Sequence, residues 1–250
     1  MRQPRLTGRA LFLSLLFALF PLTASAQTPS AWINEIHYDN SSTDTGEFIE
    51  VVVENTGSFT SALTIELYNG NGSSSYDTET LTLPGSPAAT DGNYSVFEFA
   101  IAGIQNGAPD GVALCSGSTV IQFLSYEGAF TASGGCADGV SSTDIGVSES
   151  SSMPIGESLQ LTGTGSDYGD FNWTGPTTDS PGAVNASQTL ESRPVVNSTQ
   201  GQSYSSIQAA IDAANSGDAI DVYPGTYQEI SVQNTEYSLY IDTPNLTIRG

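Results

Sequence analysis

The fold is decided by the stretch WINEIHYDNSSTDTGEFIEVVVEN, residues 32–55, which contains two runs of alternating side chains joined by a polar segment. Alternation with a period of two is typical of half-buried strands. In the first run one side comprises Trp32, Asn34, Ile36 and Tyr38, and the other comprises Ile33, Glu35 and His37. In the second run Phe48, Glu50, Val52 and Glu54 oppose Ile49, Val51 and Val53. The stretch therefore predicts two consecutive strands.

Short runs of the same kind continue to about Val184, with Gly, Asn, Asp and Pro between them. They read ALTIELYNGNG, YSVFEFAI, GVALC, TVIQFLSY and ESLQLTG. Helical periodicity is nearly absent from this part of the chain. Strands of this length and spacing favour an antiparallel sandwich of two sheets. In the loop-rich closing segment we expect Phe171 and Trp173 to anchor the core.

These runs resemble, in order and spacing, the lamin-tail domain, and the resemblance covers residues 31–185. The matching pieces are INEIHYDN, GEFIEVVVEN, IELYNGNG, GVALCSGSTVIQFLSYEG, SLQLTG and FNWTGPTTDSPGAVN. The resemblance implies an all-β fold, an immunoglobulin-like antiparallel β-sandwich. In bacteria such domains look like accessory modules of secreted proteins, sometimes beside nucleases or phosphatases, so the resemblance implies no single chemistry.

The pattern changes twice after this part of the chain. Residues 186–203, ASQTLESRPVVNSTQGQS, are polar and rich in turn residues, and we expect them to be a linker. Residues 204–227, YSSIQAAIDAANSGDAIDVYPGTY, then begin with the apolar spacing of one helix face. The apolar stripe comprises Ile207, Ala210, Ile211 and Ala214.

The expected helix is about ten residues long. Ser205 or Ser206 is a candidate N-cap, because a hydroxyl accepts a hydrogen bond from the free amides of the first turn. Gly217 suits the left-handed conformation that often follows a helix. A helix this short is marginal in water by itself, so its apolar stripe must pack on another element.

Pairs of aliphatic residues follow the helix, each pair alternating around a polar or aromatic residue and separated from the next by a corner. The pairs are Ile220 and Val222, Ile230 and Val232, Leu239 and Ile241, and Leu246 and Ile248. The 26 residues from Ile220 to Leu246 suit one turn of a coil with several flat faces. The first rung of such a solenoid needs a cap, which we expect the helix to supply.

The string IQAAIDAA…GD.I.V.PGTY resembles the opening of right-handed parallel β-helix proteins of the pectin-lyase-like group. The resemblance covers residues 204–250 and implies that they form the N-terminal cap and first coil of such a β-helix. A solenoid generally needs at least three repeats, so we expect the sequence to be truncated. The alternative is that residues 204–250 fold back onto the sandwich as a small annex.

The first 26 residues have the pattern of an export signal. Arg2, Arg5 and Arg9 accompany the apolar run from 10 to 20, and Ala24-Ser25-Ala26 offers a cleavage site. The alternative is a membrane anchor, which needs roughly 20 apolar residues, whereas this run stops at Pro21. We expect a secreted or cell-surface chain that begins at Gln27, with no transmembrane segment after cleavage.

The charge balance is strongly acidic. After cleavage the chain keeps Arg193, Arg249 and all 27 acidic residues, which gives a formal charge of −25. This field repels nucleic acids and acidic polysaccharides unless cations bridge the two surfaces. The charge therefore disfavours nucleic acid as a partner, and an extracellular polysaccharide or cell-surface component is the expected partner. The acidic residues are otherwise typical of a solvated surface.

Two cysteines, Cys115 and Cys136, lie in a chain that is expected to be exported, where thiols tend to pair. A disulfide closing this loop would contribute roughly 3 kcal/mol in the chain-entropy model. The alternative is a pair of free thiols. The absence of a CxxC motif or a Cys-His cluster argues against a zinc or redox site.

Calcium is the one metal that the sequence suggests. Asp39, Asn40, Asp44 and Glu47 offer hard oxygen ligands between the first two strands, and Asp167 and Asp170 offer two more. Such oxygens on a flexible loop suit Ca²⁺. The spacing does not match an EF-hand loop, and Asx residues also make turns by bonding to their own backbone. Both interpretations of these residues stay open, and no other cofactor is expected.

The sequence contains no recognisable catalytic motif. His37 is the single histidine, and no nucleophile-elbow motif accompanies it. Asp212, Asp218 and Asp221 belong to the expected cap and first rung, where we expect solvated helix and turn acids. The catalytic residues of β-helix enzymes lie on middle coils, so none can be assigned here.

These observations favour a secreted, non-catalytic accessory, adhesion or binding module that positions a downstream β-helix region at a surface or polymer. The alternative is the N-terminal part of a carbohydrate-active β-helix enzyme, a polysaccharide lyase or hydrolase, with its active site beyond residue 250. A module linked to a nuclease is a third option, which the charge disfavours.

Overall fold

A computed structural model describes residues 31–54, 59, 61–191, 195–204, 206–223 and 239–250. The expected export signal, residues 1–26, lies outside them. Within the described residues the chain is all-β apart from one short α-helix and a single 3₁₀ turn, Tyr168–Asp170. In that part of the chain, no helix is long and apolar enough to span a lipid bilayer.

The strands in chain order are β1 (Ala31–His37), β2 (Phe48–Glu54), β3 (Leu63–Asn69), β4 (Ser74–Leu81), β5 (Ala89–Asp91), β6 (Tyr94–Ala100), β7 (Asp110–Ser116), β8 (Thr119–Tyr126), β9 (Thr143–Asp144), β10 (Glu157–Gly165), β11 (Asn172–Thr178), β12 (Gln188–Leu190), β13 (Val195–Asn197), β14 (Gln202–Tyr204), β15 (Ala219–Val222) and β16 (Thr247–Arg249). The helix α1 is Ile207–Ala213. The strands form three sheets. Sheet I has the order β11-β10-β1-β2-β6-β5, with β12 beside β10, sheet II has the order β4-β3-β7-β8-β9, and sheet III has the order β14-β13-β15-β16.

Sheets I and II are two layers around one hydrophobic core, as expected for elements that bury one face each. Sheet I contributes Ile33, Ile36, Ile49, Val51, Val53, Phe97 and Leu159. Sheet II contributes Leu63, Ile65, Leu67, Leu81, Val112, Leu114, Leu124 and Tyr126. Pairing within both sheets is antiparallel except for β10 with β12 and β8 with β9. The alternation predicted for β2 is confirmed, because Ile49, Val51 and Val53 face this core while Val52 faces a second cluster.

The strict alternation predicted for β1 is wrong. Ile33 pairs with Val51 and Glu35 pairs with Glu50, so the strand bulges at Asn34. A bulge inserts one residue and reverses the facing of those that follow. Ile36 therefore joins Ile33 in the shared core instead of opposing it.

The outer face of sheet I is also covered. An apolar cluster there comprises Trp32, Val52, Tyr94, Val96, Leu161, Phe171 and Leu190. Phe171 is buried, as predicted for an anchor, and Trp173 is half-buried against the same cluster. The predicted Cys115–Cys136 disulfide is confirmed. Cys115 lies on β7, and the bond ties this strand to the segment that precedes β9.

The prediction of residues 186–203 as a linker is wrong. These residues carry β12, which extends sheet I, and the hairpin of β13 and β14, which belongs to sheet III. The segment is polar overall, but three of its aliphatic residues, Leu190, Val195 and Val196, are buried. Residues 192–194 between the two groups of strands are not described.

Sheet III and α1 enclose a small core of their own, formed by Val195, Ala210, Ile211 and Ile220. Ile207 and Ala214 pack against it as partly buried residues, so the four residues of the predicted stripe lie together. In the described part of the chain, no strand of sheet III pairs with sheet I or sheet II.

The helix is shorter than the ten residues expected. Ser206 Oγ accepts a hydrogen bond from Ala209 N at 3.1 Å and caps its start, whereas Ser205 lies outside the described residues. Ala214 already has extended backbone angles, so the helix ends after seven residues. Gly217 has a φ of +91°, the left-handed conformation predicted for it.

Strands β15 and β16 pair in parallel. Ala219 is opposite Thr247 and Ile220 is opposite Ile248, a spacing of 28 residues (247 − 219). The sequence pattern predicts Ile220 opposite Leu246, two residues short of the observed register. The expected rung at Ile230 and Val232, and the PGTY turn, lie outside the described residues.

Candidate functional site

A cleft opens where the start of β1 meets β8, next to the 3₁₀ turn. Its volume is about 440 Å³. Its lining comprises Ala31 and Trp32, residues 120–124 of β8, Val140, Ser141 and Thr143 before and within β9, and Tyr168. The cleft therefore lies where both layers of the sandwich and a connecting loop contribute side chains.

The lining of the cleft is apolar and uncharged. Its polar side chains are Gln122, Ser141, Thr143 and Tyr168, and none of the described residues that line it is Asp, Glu, Lys or Arg. An uncharged recess stands out in a chain with 27 acidic residues. The lining offers apolar contact together with amide and hydroxyl hydrogen-bonding groups, which suits binding of a neutral ligand.

Two polar residues of the cleft are fixed by hydrogen bonds. Gln122 Oε1 accepts from Ile33 N at 2.8 Å and thereby joins the two sheets. Tyr168 Oη accepts from Trp173 Nε1 at 3.0 Å. Burial raises the pKa of Tyr168, so its hydroxyl stays protonated and neutral. No sequence motif marks Gln122, Val140 or Tyr168, because a strand, a loop and a 3₁₀ turn that lie far apart in the chain bring them together.

The predicted calcium residues lie on the connection between β1 and β2. Asp39 and Glu47 are buried and Asp44 is half-buried. Burial raises the pKa of Asp39, and the neighbouring Asp44 carboxylate raises it further. Asn106 Nδ2 donates to Asp44 Oδ2 at 3.3 Å, and Gly103 N donates to Glu47 Oε2 at 2.8 Å. The connection is thus tied to the loop between β6 and β7.

Three buried acceptor oxygens on this connection have no hydrogen-bond donor among the described residues: Asp39 Oδ1, Asn40 Oδ1 and Glu47 Oε1. Yet no group of three or more His, Cys, Asp or Glu side chains in the described ranges is arranged to hold a metal ion. Asp39, Asp44 and Glu47 therefore do not form a centre of three carboxylates. Asp39 and Asp44 are the two of these carboxyl groups that lie close enough to interact.

His37 is buried and bonded to Glu149, at 3.0 Å between Nδ1 and Oε1. The same carboxylate accepts from the backbone amides of Tyr38 at 2.6 Å and Asp39 at 2.7 Å. Burial alone would lower the pKa of His37, but the hydrogen bond and charge of Glu149 raise it above its ordinary value. These contacts fix the end of β1. Glu149, 112 residues away in a serine-rich run, carried no sequence signal.

A buried polar network on the outer face of sheet I contains two more acids, Glu35 and Glu50, which no sequence motif marks. Glu35 accepts from Ser158 Oγ at 2.6 Å and from Ser180 N at 2.8 Å. Glu50 accepts from Asn34 Nδ2 at 3.0 Å and from Gly182 N at 2.9 Å. The two carboxyl groups thus hold the SPG turn of residues 180–182 against the sheet.

The remaining candidate acids make local turns or pairs. Asp170 Oδ2 accepts from the amides of Ser166 and Asp167, both at 2.9 Å, as the turn interpretation expects. Asp212 accepts from Gln208 at 2.7 Å. Asp221 pairs with Arg249 at 2.6 Å. Asp218 differs from the others, because it is not exposed to solvent.

Asp218 is buried and accepts from Asn197 Nδ2 at 2.9 Å and Asn215 N at 2.8 Å. Burial opposes ionisation of this group, but the hydrogen bonds outweigh burial and lower its pKa. The expectation that Asp218 is solvated is therefore wrong, because it joins the end of α1 to the β13–β14 hairpin.

Comparison with known proteins gives no match: no protein-family model matches the chain, and no curated protein or solved structure matches it significantly.

Proposed function

We propose that this chain is a secreted, non-catalytic binding module whose two-sheet part attaches to a neutral polysaccharide or cell-surface glycan through the cleft. The observation that carries the proposal is the uncharged lining of the cleft in a strongly acidic chain. Neutral sugars present hydroxyl groups and apolar ring faces, for which amide, hydroxyl and aliphatic side chains are suitable partners. Acidic polymers would meet the repulsive field of the whole chain.

The size of the cleft supports the same class of ligand. Small-molecule sites range from about 300 to 1,000 Å³, and the cleft has a volume of about 440 Å³. The described lining holds no His, Cys, Asp or Glu side chain. Without a general base or an activated nucleophile, the cleft is suited to binding and not to turnover.

The proposal extends to the folds of the two parts of the chain. Opposed antiparallel sheets that share one core support an immunoglobulin-like sandwich of the lamin-tail type for the first part of the chain. The parallel pair of β15 and β16, with α1 over their core, supports the cap and first coil of a parallel β-helix for residues 204–250. In this arrangement the sandwich binds a polymer and positions the β-helical region beside it.

Export is the third element of the proposal. The pattern of residues 1–26 and the disulfide between Cys115 and Cys136 both suit an oxidising compartment outside the cytosol. The test of export is the N-terminal sequence of the protein recovered from the culture medium or cell surface, which we expect to begin at Gln27.

Affinity electrophoresis in gels that contain neutral glucan, galactomannan, pectate or alginate tests the binding proposal. We expect retardation by at least one neutral polymer and none by pectate or alginate. V140D places a charge at the exposed edge of the cleft, and we expect it to weaken binding at least tenfold. I155D is the matched control, because Ile155 is 66% exposed and does not line the cleft.

Y168F gives a second readout, because it removes a hydroxyl and keeps the ring. We expect it to weaken binding several-fold while the fold is kept. No retardation by any neutral polymer, or equal effects of V140D and I155D, would contradict the proposal.

The parallel pairing of β15 with β16 also favours a second candidate, the N-terminal part of a carbohydrate-active β-helix enzyme. Its test is turnover of pectate, alginate and neutral polysaccharides by the purified chain, followed as unsaturated product or new reducing ends. Activity that is lost on substitution of an acid in this chain would favour the enzyme over the binding module.

A further inference from the structure

Asp39 lies outside the cleft, on the connection between β1 and β2. It is 7% exposed, and its Oδ1 atom is buried with no hydrogen-bond donor among the described residues. A buried carboxylate oxygen without a partner is costly, since burial removes water and nothing replaces it. The position therefore calls for a donor or a cation.

The neighbours of Asp39 make a cation the better partner. Asp44 lies close enough to Asp39 for its carboxylate to raise the pKa of Asp39, and Asn106 Nδ2 donates to Asp44 Oδ2 at 3.3 Å. Among the described residues, the basic side chain closest in the chain is His37, whose Nδ1 is bonded to Glu149. The one described arginine, Arg249, is paired with Asp221 in sheet III. No side chain of the described ranges thus neutralises the Asp39–Asp44 pair.

We propose that Asp39, Asp44 and Asn106 bind a Ca²⁺ ion. Asp39 Oδ1 and the Asp44 carboxylate supply the two charged ligands. Asn106 supplies its amide oxygen, because the oxygen and nitrogen of an amide exchange places by a simple rotation of the group. Water completes the shell, as it does at many calcium sites.

The chemistry of the donors selects calcium. All three are hard oxygens on irregular loops, and Ca²⁺ accepts six to eight oxygens in flexible geometry, whereas Mg²⁺ demands a near-ideal octahedron. A site with two carboxylates corresponds to the weaker class found in extracellular modules, with Kd about 0.1–1 mM. Calcium at such concentrations is available outside cells.

Bound calcium would join two loops at one end of the sandwich. Asp39 and Asp44 lie between β1 and β2, and Asn106 lies between β6 and β7. Among the hydrogen bonds that join these loops, the one from Asn106 to Asp44 is long, at 3.3 Å, whereas the one from Gly103 to Glu47 is 2.8 Å. We therefore expect the ion to raise the thermal stability of the chain.

The first experiment measures thermal unfolding of the full chain after removal of metal with EGTA. At Ca²⁺ about 100 times Kd we expect the Tm to rise by about 5–10 °C, and an equal concentration of Mg²⁺ to raise it much less. D44N is expected to abolish the calcium-dependent shift. D91N is the charge-matched control, because Asp91 is exposed on β5, and it is expected to keep the full shift.

The second experiment reports occupancy directly. Tb³⁺ replaces Ca²⁺ at oxygen sites, and tyrosine sensitises its luminescence; Tyr38 is next to Asp39 in the chain. We expect Ca²⁺ to displace Tb³⁺ from the wild-type chain, and N106A, at an exposed position, to weaken binding several-fold. Absence of a calcium-dependent Tm shift, equal shifts with D44N and D91N, or luminescence unaffected by N106A would overturn the proposal.

Discussion

Glu50 shows how strongly one position on the outer face of sheet I is constrained. Its side chain is fully buried, and burial raises its pKa to about 8, with a further contribution from the nearby Glu35 charge. Hydrogen bonds from Asn34 and Gly182 favour the ionised form but do not offset burial. At neutral pH the folded chain therefore binds a proton that the unfolded chain releases.

The predicted consequence is a loss of stability as pH rises. The contribution of Glu50 is fully present below its unfolded pKa of 4.5 and is lost as pH rises through about 8. We expect E50Q to reduce the fall in unfolding free energy between pH 5 and pH 8 by roughly 2–4 kcal/mol, measured by urea denaturation at each pH. E98Q is the control, because Glu98 is opposite Glu50 on β6 but exposed, and an equal effect of E98Q would contradict the assignment.

At the residue scale the sequence predicted what local pattern carries. Alternation in β2, the Ser206 cap and the cysteine pair all follow from neighbours in the chain or from residue type. The sequence did not reveal Glu149 or the buried state of Glu50, because each depends on partners more than one hundred residues away. The cleft was missed for the same reason.

At the scale of elements, α1 depends on the small core that it shares with sheet III. Ile211 is fully buried there with Val195 and Ile220. A seven-residue helix has little stability of its own, so this contact decides whether it forms.

We expect I211A to destabilise this part of the chain by about 3 kcal/mol, since it removes a buried side chain and leaves a cavity. Hydrogen exchange of residues 195–204 and 206–223, read by mass spectrometry, measures the effect. I248A in β16 is the matched control, because Ile248 is 39% exposed, and we expect it to cost under about 1 kcal/mol. Comparable loss of protection in both variants would show that burial against α1 is not the cause.

Two departures from the predicted elements have one physical origin. The bulge at Asn34 and the two-residue shift of the β15–β16 register both depend on how strands pair, and strand pairing is a long-range property. Alternation shows that a strand exists but not where an extra residue is accommodated. The sequence does not reveal the strands within residues 186–203, because strands of three residues carry too few alternations to be recognised.

At the scale of the whole molecule, the all-β class could be predicted because short alternating runs separated by turn residues extend through most of the chain. This class is confirmed in the described residues. The sequence alone does not determine the path of the chain between sheets, since many strand orders satisfy the same pattern. The disulfide acts at this scale too, because a cross-link restricts the unfolded ensemble more than it strengthens any contact.

We expect the double substitution C115S and C136S to lower the unfolding free energy by roughly 3 kcal/mol, measured by guanidinium denaturation. Dithiothreitol is expected to lower the stability of the wild-type chain by a similar amount and to leave the double variant unchanged. Thiol titration verifies that reduction is complete. If the unfolding midpoint of the wild-type chain is then unchanged, the entropic account is contradicted.

The carboxylate of Asp218 has one more consequence. It accepts hydrogen bonds from Asn197 in β13 and from the backbone after α1. One carboxylate thus connects the β13–β14 hairpin, the end of α1 and the turn before β15. If any one of these three segments moves away, the buried carboxylate loses a hydrogen-bond donor, which is unfavourable. We infer that the three segments unfold cooperatively, as one unit, and that none of them unfolds separately.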